Sequence, residues 1–508
     1  MQRIVAATLI FGAVLFAEDA PVARSGPAHS VPEFQTGQAA RLVLGQNSFT
    51  SHDGQMRTDS LVYASGRLFA TEPVAGQLYR VDVFELAQLP PARSLPPLAS
   101  GGSCSVCGFA PSLELNAQAP PDSPAIVERA NARVVADVPN RRVLIWRDAA
   151  AARAGASPDV VLSDRAGANG LVEPVSVEYD GRHLFVGDAL RHQVLIWRGL
   201  PSVDEQPADV VLGNPNESTG PDAIRRPAAL ASDGDNLFVA DPSNHRILVF
   251  TPGDVPLARN GIVNAASLAP DPLAVGTLID IDGSGLSDGA TSAPDDNQAP
   301  LPNVLAGVQV FLNGSALPLL SVSPTEIRTQ LPYTLDESAA VSVYVRTQHG
   351  DGQVTVTNAT ALRTAPATPG LFGFGGPEPR QGMILHATMA DNQEAAGTPV
   401  TASNPAQPGE QLIVWAAGLG TLDNDTPPQA GVPYAGADTP LRYPISAAID
   451  GQQVQVLSAQ LPADGIGIYD IRLRMPASLA VESVARLIVS QNGFTSNTVT
   501  FPVKSSAH

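Results

Sequence analysis

Three stretches of this chain repeat one another at near-constant spacing, and that repetition limits the fold more than any other feature. Arg133-Val-Val-Ala-Asp137 leads to Val143-Leu-Ile-Trp146. His183-Leu-Phe-Val-Gly-Asp188 leads to Val194-Leu-Ile-Trp197, and Asn236-Leu-Phe-Val-Ala-Asp241 to Ile247-Leu-Val-Phe250. Asp137, Asp188 and Asp241 stand 51 and 53 residues apart, as do the closing aromatics. A fainter copy, Arg67-Leu-Phe-Ala-Thr-Glu72, lies 65 residues upstream of Asp137, and the extra length coincides with a Pro-rich insertion at 89–120. Each copy holds four short strands. Such a unit cannot bury both faces alone, so copies must stack until a ring closes.

The closing strand is legible too. Asp159-Val-Val-Leu162 and Asp209-Val-Val-Leu-Gly213 end two of the repeats, but no such strand follows Phe250. A matching segment, Arg41-Leu-Val-Leu-Gly45, stands ahead of the first repeat. Residues 41–46 are therefore expected to complete the last sheet, giving a small β-propeller of about four blades over 35–255. The run Asp241-Pro-Ser-Asn244-His245-Arg246-Ile247 resembles the signature of NHL-repeat propellers, with echoes at Asp137-Val-Pro-Asn140 and Asp188-Ala-Leu-Arg191. The resemblance implies fold. Propellers of this kind also host lyases and lactone hydrolases with a metal or His at the channel mouth.

From about 259 a second duplication takes over. Gly276 to Leu286, Val308 to Gly314 and Val341 to Val345 match Gly409 to Leu419, Ile445 to Gly451 and Ile468 to Leu473. Asn313-Gly314 and Asp450-Gly451 sit between alternating apolar runs, a two-residue hairpin signal because both turn residues need positive φ. Each copy has sandwich size. The pattern resembles the immunoglobulin-like IPT/TIG fold. With Asn260-Gly-Ile-Val-Asn-Ala-Ala-Ser267, Pro369-Gly-Leu-Phe372 and Ser496-Asn497, it resembles a C-terminal module of secreted bacterial proteins, which lends fold and export but no activity. The expected architecture is all-β, with Ig-like sandwiches at 260–366 and 401–504 joined by a segment at 367–400.

Charge narrows function. Forty-nine acidic against 30 basic residues give a net charge of -19, which repels phosphate backbones, so nucleic acid is not an expected partner. Lys504 is the single lysine, which removes Schiff-base, pyridoxal and P-loop chemistry. Residues 1–17, with Arg3 ahead of an apolar run to Phe16, read as a signal peptide, and no later run is long enough for a membrane-spanning helix. A secreted or otherwise extracytoplasmic location follows as an expectation. Cys104 and Cys107 then read as a small loop disulfide, since a zinc site would need further ligands at the right spacing.

The candidate site residues are few. Arg141, His192 and His245 follow the repeated Asp turns and should ring one rim of the propeller, a collar suited to an anionic group. The repeated Asp residues themselves read as turn caps, because equivalent positions in every blade suit structure better than catalysis. Trp146, Trp197 and Phe250 read as blade-to-blade core. Gly285-Leu-Ser287-Asp-Gly289 fits a nucleophile-elbow pattern, but no helical period follows it, and His349 and His386 fall in unrelated segments, so a sandwich loop is expected. Asp280-Ile-Asp282-Gly283 opens like a calcium loop yet has Thr291 where a bidentate Glu belongs. Calcium is the one cofactor considered, and no metal ligand set is assigned. The expected function is a non-catalytic recognition or adhesion scaffold binding a glycan or a protein partner, with a propeller enzyme as the alternative.

Overall fold

The computed structural model describes residues 31–504 apart from 52–55, 75–77, 91, 94–112, 119–125, 165–169, 295–299, 377, 391–392, 425, 437–438 and 478–482. The signal-peptide reading and the Cys104–Cys107 disulfide both fall outside the described residues.

Four four-stranded antiparallel sheets make the propeller. Blade one comprises Ser60–Ala64, Arg67–Val74, Leu78–Glu85 and, beyond the insertion, Leu113–Gln118. Blade two runs Ile126–Arg129, Ala132–Asp137, Arg142–Trp146 and Val160–Leu162, and blade three Pro174–Tyr179, Leu184–Asp188, Gln193–Trp197 and Val210–Leu212. Blade four takes Leu230–Ser232, Leu237–Asp241 and Arg246–Phe250 from the end of the repeat region and Leu42–Leu44 from its start.

That last pairing closes the ring, with Leu42 opposite Val249, Val43 opposite Leu248 and Leu44 opposite Ile247. Side chains alternate across a strand, and here the alternation serves two different cores. Leu42 and Leu44 join the cluster holding Leu61, Leu68 and Phe84 of blade one. Val43 joins Phe185, Val194 and Ile196 of blade three. One short strand thus packs against both neighbours of the blade it completes.

Two β-sandwiches follow. The first packs the sheet containing Leu278–Asp282 and Glu326–Gln330 on the sheet containing Val308–Leu312, Ala340–Gln348 and Thr360–Ala365. In the second, Gln452–Gln460 hydrogen-bonds to Ile445–Ile449 on one side and to Tyr469–Arg474 on the other, so a single sheet folds round upon itself. Strands within 367–400 join this second sheet: Gly370 lies opposite Ala417, and Ile384 opposite Val414. The hairpin signals hold. Asn313 and Gly314 have φ of 50° and 87°, and Asp450 and Gly451 have 48° and 81°.

Propeller and first sandwich are sewn together. Ala39 bridges to Ala359 and Val255 to Thr357, while Phe311 stacks on Tyr344 beneath the Arg41 guanidinium.

Candidate functional site

The inner strands of the four blades surround a central channel of about 310 Å³. Along it, cross-strand register defines equivalent rungs. Glu178 lies opposite Phe185, and on the same rung Val62 lies opposite Phe69, Val127 opposite Val134 and Ala231 opposite Phe238. Glu178 is therefore one acid on an otherwise apolar rung. Burial pushes its carboxyl up to about 7, Arg129 opposing and Asp180 reinforcing that shift. Arg129 ends the inner strand of blade two opposite Ala132, at the same mouth as Tyr63 and Ser232, which also line the channel.

The other mouth is different. Asp59 stands there at the start of the blade-one inner strand, its N–H donating to Thr71 and its Oδ1 accepting from the Thr71 hydroxyl at 3.2 Å. Burial raises its carboxyl as well. At about 3.3 Å per strand residue, the three residues separating Asp59 from the Glu178 rung place it roughly 10 Å along the axis. The channel's two acids are staggered, not converged.

The repeated acids cap turns. Asp188 accepts N–H bonds from Val172, Glu173 and Arg191. Asp241 accepts from the Arg225 N–H, Asn244 Nδ2 and Arg246 Nε. Asp137 accepts from Asn140 and Arg142, and Glu72 takes the Arg57 N–H in blade one. Each holds the turn that follows its strand or the chain entering a blade.

Arg141, His192 and His245 occupy one equivalent position, the left-handed residue that re-enters the third strand, with φ of 54°, 60° and 54°. They stand at the Asp59 end of the ring, away from Glu178. Two of them serve the neighbouring blade. His192 Nδ1 accepts the Arg226 N–H at 3.2 Å, and His245 Nδ1 donates to the Met56 carbonyl at 3.1 Å. Arg141 is exposed.

Trp197 and Phe250 are buried in the blade interfaces, and Trp146 is half-buried with its indole N–H on the Ala156 carbonyl at 2.7 Å. Asp280 gives both carboxylate oxygens to Arg328 at 2.7 Å, so it faces a guanidinium where a calcium loop would need free ligands. In the elbow-like loop, Ser287 donates to the Gly289 carbonyl at 2.7 Å. His349 does not belong to an unrelated segment, because the hairpin carrying it folds onto this loop. Its Nδ1 meets Asp288 at 2.6 Å and its Nε2 meets Thr355 Oγ1 at 2.8 Å. The imidazole thereby ties the loop to the hairpin and leaves Ser287 aside.

The sequence reading overlooked Glu178, although a signal for it exists. Counting seven residues back from Phe69, Val134, Phe185 and Phe238 gives Val62, Val127, Glu178 and Ala231. The one charged member of that column is the channel acid.

No protein-family model matches the chain, and no curated protein matches it. Among solved structures, it is similar to the glutaminyl cyclase of Myxococcus xanthus, at 11% identity over 43% of this chain and 93% of that one, with a TM-score of 0.21. It is also similar to the fibronectin(III)-like modules of Clostridium thermocellum CbhA, at 14% identity over 49% and 97%, with a TM-score of 0.14. Likeness at that level says nothing about activity.

Proposed function

We propose that this chain is an exported, non-catalytic recognition scaffold, and that the channel mouth bearing Tyr63, Arg129, Glu178 and Ser232 takes a glycan. The observation that carries this reading is the unequal decoration of the ring. Three blades offer an apolar residue at the Glu178 rung, and the channel's polar lining differs at its two ends, with Asp59, Ser60 and Ser176 toward one mouth and Tyr63, Arg129, Glu178 and Ser232 toward the other. At the second of these an aromatic face, a guanidinium and a carboxyl line the channel, while the Ser232 hydroxyl is held by the Asn236 carbonyl and the Gly234 N–H. Sugars need that mixture, since their C–H faces stack on rings while their hydroxyls bond to charged and polar groups. Tyr63 keeps 37% of its surface exposed, which makes it a usable platform. Arg141, His192 and His245 belong to the opposite rim, where an anionic group would be a separate partner.

The test is a glycan array probed with the whole chain, followed by titration of any hit. Tyr63→Ala and Glu178→Gln should each weaken binding about tenfold or more, and Arg141→Ala should leave it unchanged. An array without signal above background overturns the glycan reading.

A second reading rests on Glu178 itself. A carboxyl pushed up to about 7 in a cleft beside Arg129 has the chemistry of a general acid or base. Against it, the roughly 10 Å along the axis between Asp59 and Glu178 exceeds the about 5–9.5 Å at which two carboxyls act on one glycosidic bond.

A further inference from the structure

Three of the four junctions between blades are filled by apolar cores. Val134 and Ile145 of blade two join Val186 and Trp197 of blade three, and Phe185 and Ile196 of blade three join Val239 and Leu248 of blade four. Phe238 and Ile247 of blade four join Leu61 and Leu68 of blade one. Among the described residues no such cluster links blade one to blade two. Ile126, Val135 and Leu144 of blade two stand in the register of Leu230, Val239 and Leu248, which are core in blade four. Yet all three remain half-buried, and Val62 on the blade-one side keeps 54% of its surface exposed.

One rung shows that the sequence keeps this junction wet. Outward from the axis, blade three presents Tyr179, Leu184 and Trp197, and blade four Ser232, Leu237 and Phe250. Blade one presents Tyr63, Leu68 and Phe84, and all three leucines are fully buried. Blade two presents Glu128, Arg133 and Trp146. Arg133 thus stands where every other blade has a core leucine. It meets Glu128 at 2.5 Å, Arg153 meets the same carboxylate at 3.2 Å, and both arginines reach solvent. A hydrated charged head cannot fill an interblade core, so the seam is a groove open to water. Trp146 ends the row half-buried, its indole N–H on the Ala156 carbonyl. At about 4.8 Å per strand spacing, it lies roughly 10 Å outward from Glu128, which adjoins Arg129 at the channel mouth.

We propose that the glycan site at the channel mouth continues outward along the seam between blades one and two, and that its ligand is an unbranched, neutral β-1,4-linked glycan with Trp146 as a second stacking platform. The proposal rests on the glycan reading of the mouth and adds the class of glycan. A groove that leaves the axis sideways admits the middle of a chain, whereas a mouth alone takes an end or a single sugar. The roughly 10 Å from the inner strand to Trp146 is more than one sugar ring spans. The walls are sheet faces, which suit the flat, extended ribbon of a β-1,4-linked chain. Glu128, Arg133 and Arg153 are spent on one another, so they offer hydrogen bonds to hydroxyls and leave no charge for the ligand to balance. Aromatic rings stack on the C–H faces of successive sugars.

The experiment is calorimetric titration of the whole chain with glucose and with its β-1,4-linked dimer and hexamer. The hexamer should bind at least about tenfold more tightly than glucose. Trp146→Ala should erase that gain and Trp146→Phe should restore most of it, while Tyr63→Ala weakens glucose and hexamer alike. Tryptophan emission gives an answer from the native chain, whatever the variants do. Of the three tryptophans, Trp197 and Trp415 are 2% and 5% exposed, so Trp146 supplies the solvent-sensitive signal. The hexamer should change that emission saturably and glucose should not. Equal affinity at every length, hexamer binding indifferent to Trp146→Ala, or unchanged emission at saturation would overturn the seam and leave the reading of the mouth standing. So would a hexamer that fails to bind while another glycan binds through Tyr63. A chain that binds no glycan of any kind fails the reading of the mouth itself, and the seam falls with it.

Discussion

Arg246 donates from Nε to Oδ2 of Asp241 across 2.9 Å, and neither side chain retains any exposed surface. The same guanidinium also reaches the Phe49 carbonyl at 2.6 Å and the Ala223 carbonyl at 2.9 Å. It therefore holds the turn of blade four, the chain entering that blade and the chain leaving the closing strand. The equivalent pair in blade two, Arg142 with Asp137 at 2.7 Å, lies in a wetter place, the arginine side chain being 41% exposed.

These two pairs should respond differently to the same change. Arg246→Met strands the Asp241 carboxylate without a counter-charge and should cost about 3–5 kcal/mol. Arg142→Met removes a screened pair and should cost less than about 1 kcal/mol. Chemical denaturation of both variants checks this, and equal losses would show that burial of the blade-four pair does not matter.

Ring closure supplies the next expectation. Leu44 is fully buried against Phe84 and Ile247, so Leu44→Ala should destabilise the propeller by about 2–5 kcal/mol. Arg41→Ala should add a distinct loss, because its Nε bonds to Thr251 Oγ1 at 3.0 Å and its Nη1 to the Pro90 carbonyl at 2.6 Å. Thermal melting of the two variants should show both losses, the leucine change giving the drop expected of an emptied core site.

The two sandwiches offer a matched comparison at Gly285 and Gly418, which the duplication aligns. Both have positive φ, 66° and 75°. A Cβ at Gly285 would meet nothing within 4 Å, whereas at Gly418 it would overlap the Thr368 carbonyl oxygen. Gly285→Ala should thus cost only the backbone strain, about 1–2 kcal/mol. Gly418→Ala should cost distinctly more, since the Thr368 carbonyl is held by the Asn264 Nδ2 donor at 2.9 Å. Denaturation midpoints that agree within error would contradict the steric account.

These cases also show what a sequence can reveal. The four sheets, the closing strand 42–44 and the hairpins at Asn313-Gly314 and Asp450-Gly451 were readable because each rests on local periodicity or on a turn that demands positive φ. The Asp137, Asp188 and Asp241 caps were readable because every blade repeats them. Glu178 could have been found by the same periodicity, as the one charged member of its column, but its burial could not, because the segments that surround it come from the other three blades. The contact of His349 with Asp288 was hidden in the same way, because the two lie 61 positions apart.

Glu178 carries the final expectation, a pH dependence of fixed sign. Its carboxyl is raised from 4.5 in the free side chain to about 7 in the fold. Between those values the folded chain binds more protons than the unfolded chain, so stability must fall as pH rises through the window. The loss should be on the order of 1–3 kcal/mol, since the side chain is partly solvated at the channel. Asp59, raised in the same direction, adds to it at lower pH. Asp180 runs the other way. Against the cost of burial, hydrogen bonds from His183 and from the N–H groups of His183 and Arg182 hold it below the usual carboxylate range, and its contribution is lost only on acidification. Replacing Glu178 by Gln removes the titration without emptying the site. Urea unfolding measured between about pH 5 and pH 8 should therefore decline for the native chain and flatten for Glu178→Gln. Parallel curves for the two would show that Glu178 titrates as an ordinary surface acid, and the channel mouth would lose the group on which its chemistry turns.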